Sequence, residues 1–224
     1  MISAMIYKDF SIIKRTAATY LLMMLFYFGM TIGGVFQGTG MMNMFASVLA
    51  IAVPLSGFAF DEQARWEKYA ITLPLGRKGV VQAKYMMALL LTVCAGLLIV
   101  LMNLIIFAFF PSRIASLPAA LLTVVGMMAG CTLVQSLLIP PCMKYGVQKA
   151  RVILIIVFAT TAAVMVPLSM SVLFPMWARS IISGLSQAML GQIAAVVLAA
   201  FVAAVLLMFV SYRLSLRIYE KKEF

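Results

Sequence analysis

Six long apolar segments alternate with short polar connections along the chain. They cover residues 18–36, 41–60, 85–110, 118–139, 152–174 and 190–212. Each is close to the ~20 apolar residues that an α-helix needs to cross the ~30 Å hydrocarbon layer of a bilayer. The pattern therefore predicts an all-α integral membrane protein with six transmembrane helices, organised as a single domain over residues 1–224.

The basic residues lie on alternate connections between these segments. All but two of the 17 Lys and Arg residues precede the first segment, fall in 61–84 or 140–151, or follow the last segment. The other connections contain only Arg113 and Arg179. Because cationic loops resist translocation, this asymmetry predicts a multi-pass protein of the cell membrane with both termini in the cytoplasm.

Composition excludes an ordinary soluble domain, since 65% of the residues are hydrophobic and 10% are charged. A net charge of +11 can indicate nucleic-acid binding. Here membrane orientation and attraction to anionic headgroups explain the charge better. We therefore expect membrane lipids, and no nucleic acid, among the partners.

Several kinds of chemistry are missing from the chain. It has no histidine, which excludes His-ligated haem, the HExxH zinc site and Ser-His or Cys-His nucleophiles. All carboxylates lie in the predicted cytoplasmic segments or at their edge: Asp9, Asp61, Glu62, Glu67, Glu220 and Glu223. A carrier coupled to protons or sodium normally keeps ionisable groups at membrane depth. Since the chain also lacks a P-loop motif, energy for active transport would have to come from another subunit.

Two segments outside the predicted spans are also expected to be helical. In residues 1–16, apolar side chains recur at three- and four-residue intervals, which favours a helix lying in the membrane interface; the alternative is a cytoplasmic extension continuous with the first span. The stretch 175–190 is too apolar for a free loop and predicts a short interfacial or re-entrant helix. Pro140 and Pro141 are expected to end the fourth span, because neither can donate a helical hydrogen bond.

Some residues within the spans suggest contacts between helices. Gly29 and Gly33 form one G-x-x-x-G pattern, and Gly126 and Gly130 form another. This spacing lets helix backbones approach closely in lipid, although small residues are common in membrane helices. For the polar Asn103 and Gln135 we expect hydrogen bonds to other helices rather than substrate contacts.

The connection 61–84 combines a helix-forming start with a break at Pro74 and Gly76. A helix from 61 to about 71 would place Trp66, Tyr69 and Leu73 on one face. Such an aromatic face can dock into a groove of a partner, or it can anchor the loop among lipid headgroups. Composition does not separate the two interpretations.

Two blocks of sequence carry a family resemblance. The first runs through Asp61-Glu62, Trp66-Glu67-Lys68-Tyr69, Leu73-Pro74-Leu75-Gly76-Arg77-Lys78 and Ala83-Lys84-Tyr85. The second contains Ile139-Pro140, Lys144-Tyr145-Gly146 and Lys149-Ala150-Arg151. In these blocks and in the order of its spans, the chain resembles the six-span permease subunits of ABC-2-type transporters of Gram-positive bacteria. Gly76 departs from that pattern, which more often has a small polar residue there.

The resemblance implies a permease that pairs with a second permease subunit, as a homodimer or heterodimer, and with a cytoplasmic ABC ATPase that binds ATP and Mg²⁺. It implies that 61–73 is the coupling helix and that 1–16 is a membrane-surface helix. The implied ATPase-coupling residues are Glu62, Arg65, Trp66, Lys68, Tyr69, Leu73, Pro74 and Arg77, with Lys144, Tyr145, Gly146, Lys149 and Arg151 in the second loop. No catalytic, metal or cofactor site is expected in this chain.

An exporter of hydrophobic or amphipathic substrates, such as peptides, drugs or lipids, is the function that this resemblance implies. A membrane-embedded enzyme is disfavoured by the missing histidine and the missing intramembrane carboxylates. A scaffold or sensor partner without transport activity remains the alternative. A neighbouring gene for an ABC ATPase would favour the exporter over the scaffold or sensor.

Overall fold

The computed structural model describes residues 2–35, 39–66, 69, 76–114, 116–153, 155–156 and 190–221. Within these ranges the chain is helical: α1 is Ile2–Ile32, α2 Gly40–Gln63, α3 Gly76–Phe109, α4 Leu117–Tyr145 and α5 Leu190–Glu220. A short 3₁₀ turn, Pro111–Arg113, follows α3, and residues 147–153 are also helical. The all-α class is therefore confirmed.

Four of the described helices are long and apolar enough to cross a membrane: α2, α3, α4 and Gly191–Glu220 of α5. They correspond to the predicted spans 41–60, 85–110, 118–139 and 190–212. The predicted span 152–174 and the outer helix 175–190 lie almost wholly outside the described residues.

Helix α1 contains the predicted first span, but it is not among those four helices. Residues 2–16 and the apolar part that follows them form one uninterrupted helix. This is the geometry of the second alternative for the N-terminal segment, a continuous extension of the first span.

Helix α3 lies at the centre of the bundle and contacts the four other helices. It has 34 residues and is about 50 Å long, so it exceeds the ~30 Å of bilayer hydrocarbon by several turns. The excess lies at its N-terminal end, which begins at Gly76 rather than near 85. This end, together with Lys8, Asp61, Tyr145 and Glu220, forms what we call the charged end of the bundle.

Apolar packing fills the interior along most of its length. The main core cluster takes Met24 from α1, Met42 and Val53 from α2, and Ile99 from α3, all fully buried. A second cluster lies nearer the charged end and includes Val81, Tyr85 and Tyr219. In lipid such packing stabilises helix association through van der Waals contact rather than through release of water.

Proline lies inside two of the helices without ending them. Pro54 cannot donate to the carbonyl of Ala50, and Gln135 Nε2 of α4 donates to that oxygen instead, at 2.9 Å. Pro140 likewise leaves the carbonyl of Ser136 without its helical donor, and Ser211 Oγ of α5 donates to it at 2.6 Å. The carbonyls freed by Pro54 and Pro140 thus each have a side-chain donor from another helix.

The expectation that Pro140 and Pro141 end the fourth span is wrong, since α4 continues to Tyr145. The hydroxyl from α5 replaces the donor that Pro140 lacks, which removes much of the cost of keeping proline within the helix.

The two polar side chains predicted to link helices behave differently. Gln135 confirms the expectation, because its amide nitrogen bonds Ala50 of α2 and, at 2.9 Å, Thr92 Oγ1 of α3. Asn103 does not: its amide donates to Ile99 O in the same helix, at 3.0 Å. A short side chain facing an apolar interior reaches the preceding turn of its own helix more readily than a neighbour.

The glycine pairs show little close packing within the described chain. A Cβ added at Gly29 or Gly130 would meet no atom within 4 Å. At Gly126 it would only touch Val197, at 4.0 Å, and at Gly33 it would approach the carbonyl oxygens of its own helix.

Candidate functional site

Four charged side chains from three helices meet in a closed cluster at the charged end. Lys84 Nζ of α3 lies 2.9 Å from Asp9 Oδ2 of α1 and 2.5 Å from Asp61 Oδ2 of α2. Lys8 Nζ lies 2.9 Å from Asp9 Oδ1 and 2.8 Å from Asp61 Oδ1. Each carboxylate is therefore shared by both ammonium groups, and the four formal charges cancel. We call Lys8, Asp9, Asp61 and Lys84 the ion cluster.

The ion cluster is largely withdrawn from water. The side chains of Asp9, Asp61 and Lys84 are at most 9% exposed, and that of Lys8 is 26% exposed. Two aromatic rings cover the ammonium groups: Trp66 lies 4.3 Å from Lys8 Nζ, and Phe58 lies 5.1 Å from Lys84 Nζ. Because one lost partner would leave a buried charge unbalanced, the cluster holds α1, α2 and α3 in a fixed relation.

Glu62, the residue after Asp61, joins α2 to the second sequence block, which contains Gly146. Its Oε2 accepts a hydrogen bond from the Val147 N–H at 2.8 Å. Val147 begins the helical stretch that follows α4, where unpaired N–H groups favour a carboxylate. Gly146 makes the turn between the two helices with φ of +82°, a conformation that L-residues rarely adopt.

The contact between Glu62 and Gly146 leaves no room for a side chain at residue 146. A Cβ added there would lie 2.7 Å from Glu62 Oε1. The two sequence blocks, separated by two membrane-length helices, therefore meet at a point that depends on glycine.

A cavity of about 290 Å³ opens beside this contact. Charged, aromatic and apolar groups of the charged end line it, with none from the described side chains of α1: Phe58, Asp61, Glu62, Trp66, Val80, Lys84, Cys142, Met143, Lys144, Tyr145, Gly146, Val147 and Tyr219. The lining offers ionic and aromatic contacts to a partner side chain. Within the described ranges, no group of three or more potential metal ligands lies together.

A chain of hydroxyl groups ties α3, α4 and α5 together next to this cavity. Ser211 gives its proton to the Ser136 carbonyl, so Tyr85 donates to Ser211 Oγ at 2.6 Å. Tyr85 in turn accepts from Ser215 at 2.8 Å. At the same end, Arg77 Nη1 donates to the carbonyl of Glu220. Every described helix is thus connected to another by polar contacts at the charged end.

The coupling residues predicted in the first sequence block, which begins at Asp61, lie in different surroundings in the structure. Glu62 lies in the contact with Val147, and Arg77 contacts the end of α5. Trp66 is partly buried over Lys8, whereas Tyr69 is 66% exposed. Lys68, Leu73 and Pro74 lie outside the described residues.

The expected single helix from residue 61 is interrupted. Helix α2 continues to Gln63, and Arg65 has φ of +50°, outside the right-handed helical region. The two helical residues Trp66 and Tyr69 follow this break. The helix of span two therefore continues through the acidic pair Asp61-Glu62 instead of a new helix beginning there.

The coupling residues predicted in the second sequence block lie around Gly146. Lys144 and Tyr145 are exposed at the end of α4, with Lys144 Nζ 4.9 Å from the Tyr145 ring. Lys149 and Arg151 are exposed on the helical stretch that follows. Tyr69, in the first sequence block, is exposed as well.

The sequence analysis did not identify the ion cluster as a unit. Its lysines served there only as markers of orientation. A signal was present, because Asp61 and Lys84 directly adjoin the apolar segments 41–60 and 85–110, and opposite charges at the ends of packed helices are expected to pair.

Comparison with known proteins bears on these features. The model of the family described as "ABC-2 family transporter protein" matches residues 4–220. No curated protein and no solved structure matches the chain significantly. The family match extends over nearly the whole chain, including both sequence blocks that meet at Glu62 and Gly146. The chain therefore belongs to the ABC-2 transporter family, whose members are membrane components of ABC transporters.

Proposed function

We propose that this chain is the permease subunit of an ATP-driven exporter of hydrophobic or amphipathic substrates. It spans the cell membrane six times, with both termini in the cytoplasm. It pairs with a second permease subunit, and a separate cytoplasmic ABC ATPase binds ATP and Mg²⁺. The family match supports this assignment, and so does the distribution of basic residues.

The observation that carries the proposal is the contact between the two cytoplasmic blocks, in which Glu62 binds the Val147 N–H. The ion cluster adjoins it through Asp61 and extends to α1 and α3. A force applied to either block therefore reaches α2 and α4 directly and the other helices through charged contacts. This is the mechanical connection that a permease needs in order to respond to an ATPase.

The positions of the carboxylates support an external source of energy. Asp9, Asp61, Glu62 and Glu220 all lie at the charged end, and the described middle of the bundle contains no ionisable carboxylate. Transport coupled to protons through carboxylates at membrane depth is thereby disfavoured.

The exposed surface of Tyr69, Lys144, Tyr145, Lys149 and Arg151 is the part that we assign to the ATPase contact. Tyr69 is the more accessible of the two aromatic residues on this surface, at 66% exposed against 48% for Tyr145. Trp66 has a different role in this proposal: it covers Lys8 and supports the ion cluster from the side.

Purification of the tagged chain from its native membranes in mild detergent tests the proposal. We expect a stoichiometric ABC ATPase to accompany it, and Tyr69→Ala to reduce that recovery several-fold. Tyr7→Ala is the matched control, because Tyr7 is also a highly exposed tyrosine, at 74%, but lies on α1. Repeated recovery of the intact chain without an ATPase would favour the scaffold or sensor alternative.

Cysteine labelling tests the orientation. After replacement of Cys94, Cys131 and Cys142, an impermeant thiol reagent added outside should label Arg113→Cys and Arg179→Cys. Lys78→Cys and Lys149→Cys should react only after the membrane is opened, because both sites are exposed at the charged end. Labelling of either from outside would overturn the proposed topology.

A further inference from the structure

An apolar groove runs between α4 and α5 on the outside of the bundle. It has a volume of about 440 Å³, and its lining is almost entirely apolar. Leu137 of α4 and Leu214 of α5, which both line it, are 69% and 51% exposed. Most of the surface of α5 faces away from the other described helices, so the described helices leave this groove uncovered.

Three cations surround the end of this groove. Lys144 of α4 and Arg217 and Lys221 of α5 line a second cavity, of about 360 Å³, and Ile218 belongs to both cavities. All three cations are exposed, and none forms an ion pair with a carboxylate of the described chain. The nearby acids have other partners: Glu62 binds Val147, and Glu220 pairs with Lys78.

The dimensions of the groove match one lipid chain in one leaflet. From Leu207 to Ile218 the helix rises about 16 Å. Half of the bilayer hydrocarbon is roughly 15 Å thick. The apolar part of the groove therefore has the depth of a single leaflet, and the cations lie at the level where headgroup phosphates are found.

We propose that this groove binds an anionic phospholipid, with an acyl chain along α4 and α5 and its phosphate among Lys144, Arg217 and Lys221. Long basic side chains at the end of a span place their charges among headgroups while their stems cover apolar surface. A lipid without net charge would leave the three positive charges unbalanced. The site depends on the membrane location of α4 and α5. Because Lys144 also belongs to the surface assigned to the ATPase contact, lipid binding is measured on the chain without an ATPase.

Charge also argues against a second copy of this chain as the occupant. The chain carries a net charge of +11, and its basic residues are concentrated at the ends of the predicted spans. An isologous contact through the groove would bring the same three cations of both copies towards each other. An anionic headgroup offsets part of their positive charge instead.

Native mass spectrometry of the full chain, released from detergent and titrated with lipid, tests the proposal. The probes are dioleoyl-phosphatidylglycerol and dioleoyl-phosphatidylcholine, which differ in headgroup charge but share the same chains. We expect one phosphatidylglycerol to bind at least about tenfold more tightly than phosphatidylcholine, since each basic residue near anionic headgroups contributes roughly fivefold. Equal affinity for both lipids would overturn the proposal.

Two triple variants with the same net charge separate a defined site from general attraction. In Lys144→Gln/Arg217→Gln/Lys221→Gln the preference for phosphatidylglycerol should disappear. In Lys14→Gln/Arg15→Gln/Lys149→Gln, which removes two lysines and one arginine that are also exposed, it should remain. Equal losses in both variants would show diffuse electrostatic attraction and contradict the proposal.

A third variant tests the apolar part of the groove. Leu137→Trp fills it while leaving the cations in place, and we expect several-fold weaker binding of phosphatidylglycerol with an unchanged oligomeric state. Unchanged lipid binding accompanied by loss of a dimer would identify a second copy as the occupant. Complete competition by millimolar inorganic phosphate would identify an anion site without an acyl chain, and either result would overturn the proposal.

Discussion

Two regions of the bundle bury polar side chains: the charged end and the layer around Gln135 in the apolar middle. At the charged end, Lys84 and Asp61 are ionised partners of one another, and their neighbours complete the ion cluster. In the middle, Gln135 is neutral and donates to a backbone carbonyl that proline has freed. Charged side chains pair with one another where they can contact the membrane surface. Where lipid surrounds the helices, neutral side chains donate hydrogen bonds to the backbone carbonyls that proline leaves without a donor.

The largest expected effect comes from breaking the ion cluster. Lys84→Met would leave Asp9 and Asp61 buried with only Lys8 between them. We expect the free energy of unfolding to fall by about 3–5 kcal/mol, because an uncompensated buried charge remains. Thermal unfolding in detergent micelles measures this loss.

Two further variants serve as controls for Lys84→Met. Lys78→Met removes a lysine from the same helix whose side chain is 76% exposed and should change stability little. Adding Asp61→Asn to Lys84→Met leaves Lys8 facing Asp9 alone and should restore part of the loss. No recovery in that double variant would contradict charge balance as the cause.

The contact between the two sequence blocks should be the next most sensitive to substitution. Gly146→Ala places a side chain at φ of +82° and 2.7 Å from Glu62 Oε1. We expect a loss of about 1–3 kcal/mol, typical of a residue held in a conformation that only glycine adopts easily. Gly191→Ala is the control, because nothing lies within 4 Å of its added Cβ. Equal stability of the two variants would show that the contact does not constrain the chain.

A smaller effect is expected in the apolar middle. Gln135→Leu removes the donor to the Ala50 carbonyl and should cost about 0.6–2 kcal/mol, the range measured for interhelical hydrogen bonds in membranes. Pro54→Ala restores an N–H for the same carbonyl. The double variant should therefore lose less than Gln135→Leu alone, and strict additivity of the two effects would refute the pairing of Gln135 with the proline-freed carbonyl.

The smallest change in stability is expected at the exposed surface of the charged end. Tyr69→Ala should alter the free energy of unfolding by less than about 0.5 kcal/mol, as is usual for exposed positions. Trp66→Ala, in contrast, uncovers Lys8 and should destabilise the ion cluster measurably. A comparison of ATP hydrolysis and transport in the two variants would separate partner contact from internal support.

The long apolar segments were sufficient to predict four of the described helices, because membrane length and hydrophobicity are local properties. The continuation of α4 through Pro140 was not predictable in the same way. It depends on Ser211, 75 residues further along the chain, and no local pattern reveals that this hydroxyl faces the freed carbonyl. The break at Arg65 was also missed, because helix propensity is continuous across it.

The candidate site was predictable in part. Glu62 and Gly146 were both identified through the family resemblance, but their contact arises only when α2 and α4 pack together. The charges of the ion cluster were visible as markers of topology. Their pairing required knowledge of which helices are neighbours, and α1, α2 and α3 become neighbours only through tertiary packing.

The repair of proline-containing helices has a consequence for how the protein is made. Synthesis proceeds from the N-terminus, so the Ala50 carbonyl exists 85 residues before Gln135, and the Ser136 carbonyl 75 residues before Ser211. Until the later helix arrives, each earlier one holds an acceptor that lipid cannot satisfy. Insertion of α4 therefore supplies the missing hydrogen-bond donor to α2, and insertion of α5 supplies the missing donor to α4. Each later helix is stabilised against an earlier one by the hydrogen bond that proline left unmade. The prolines in this way help to specify the order and the partners in which the helices assemble.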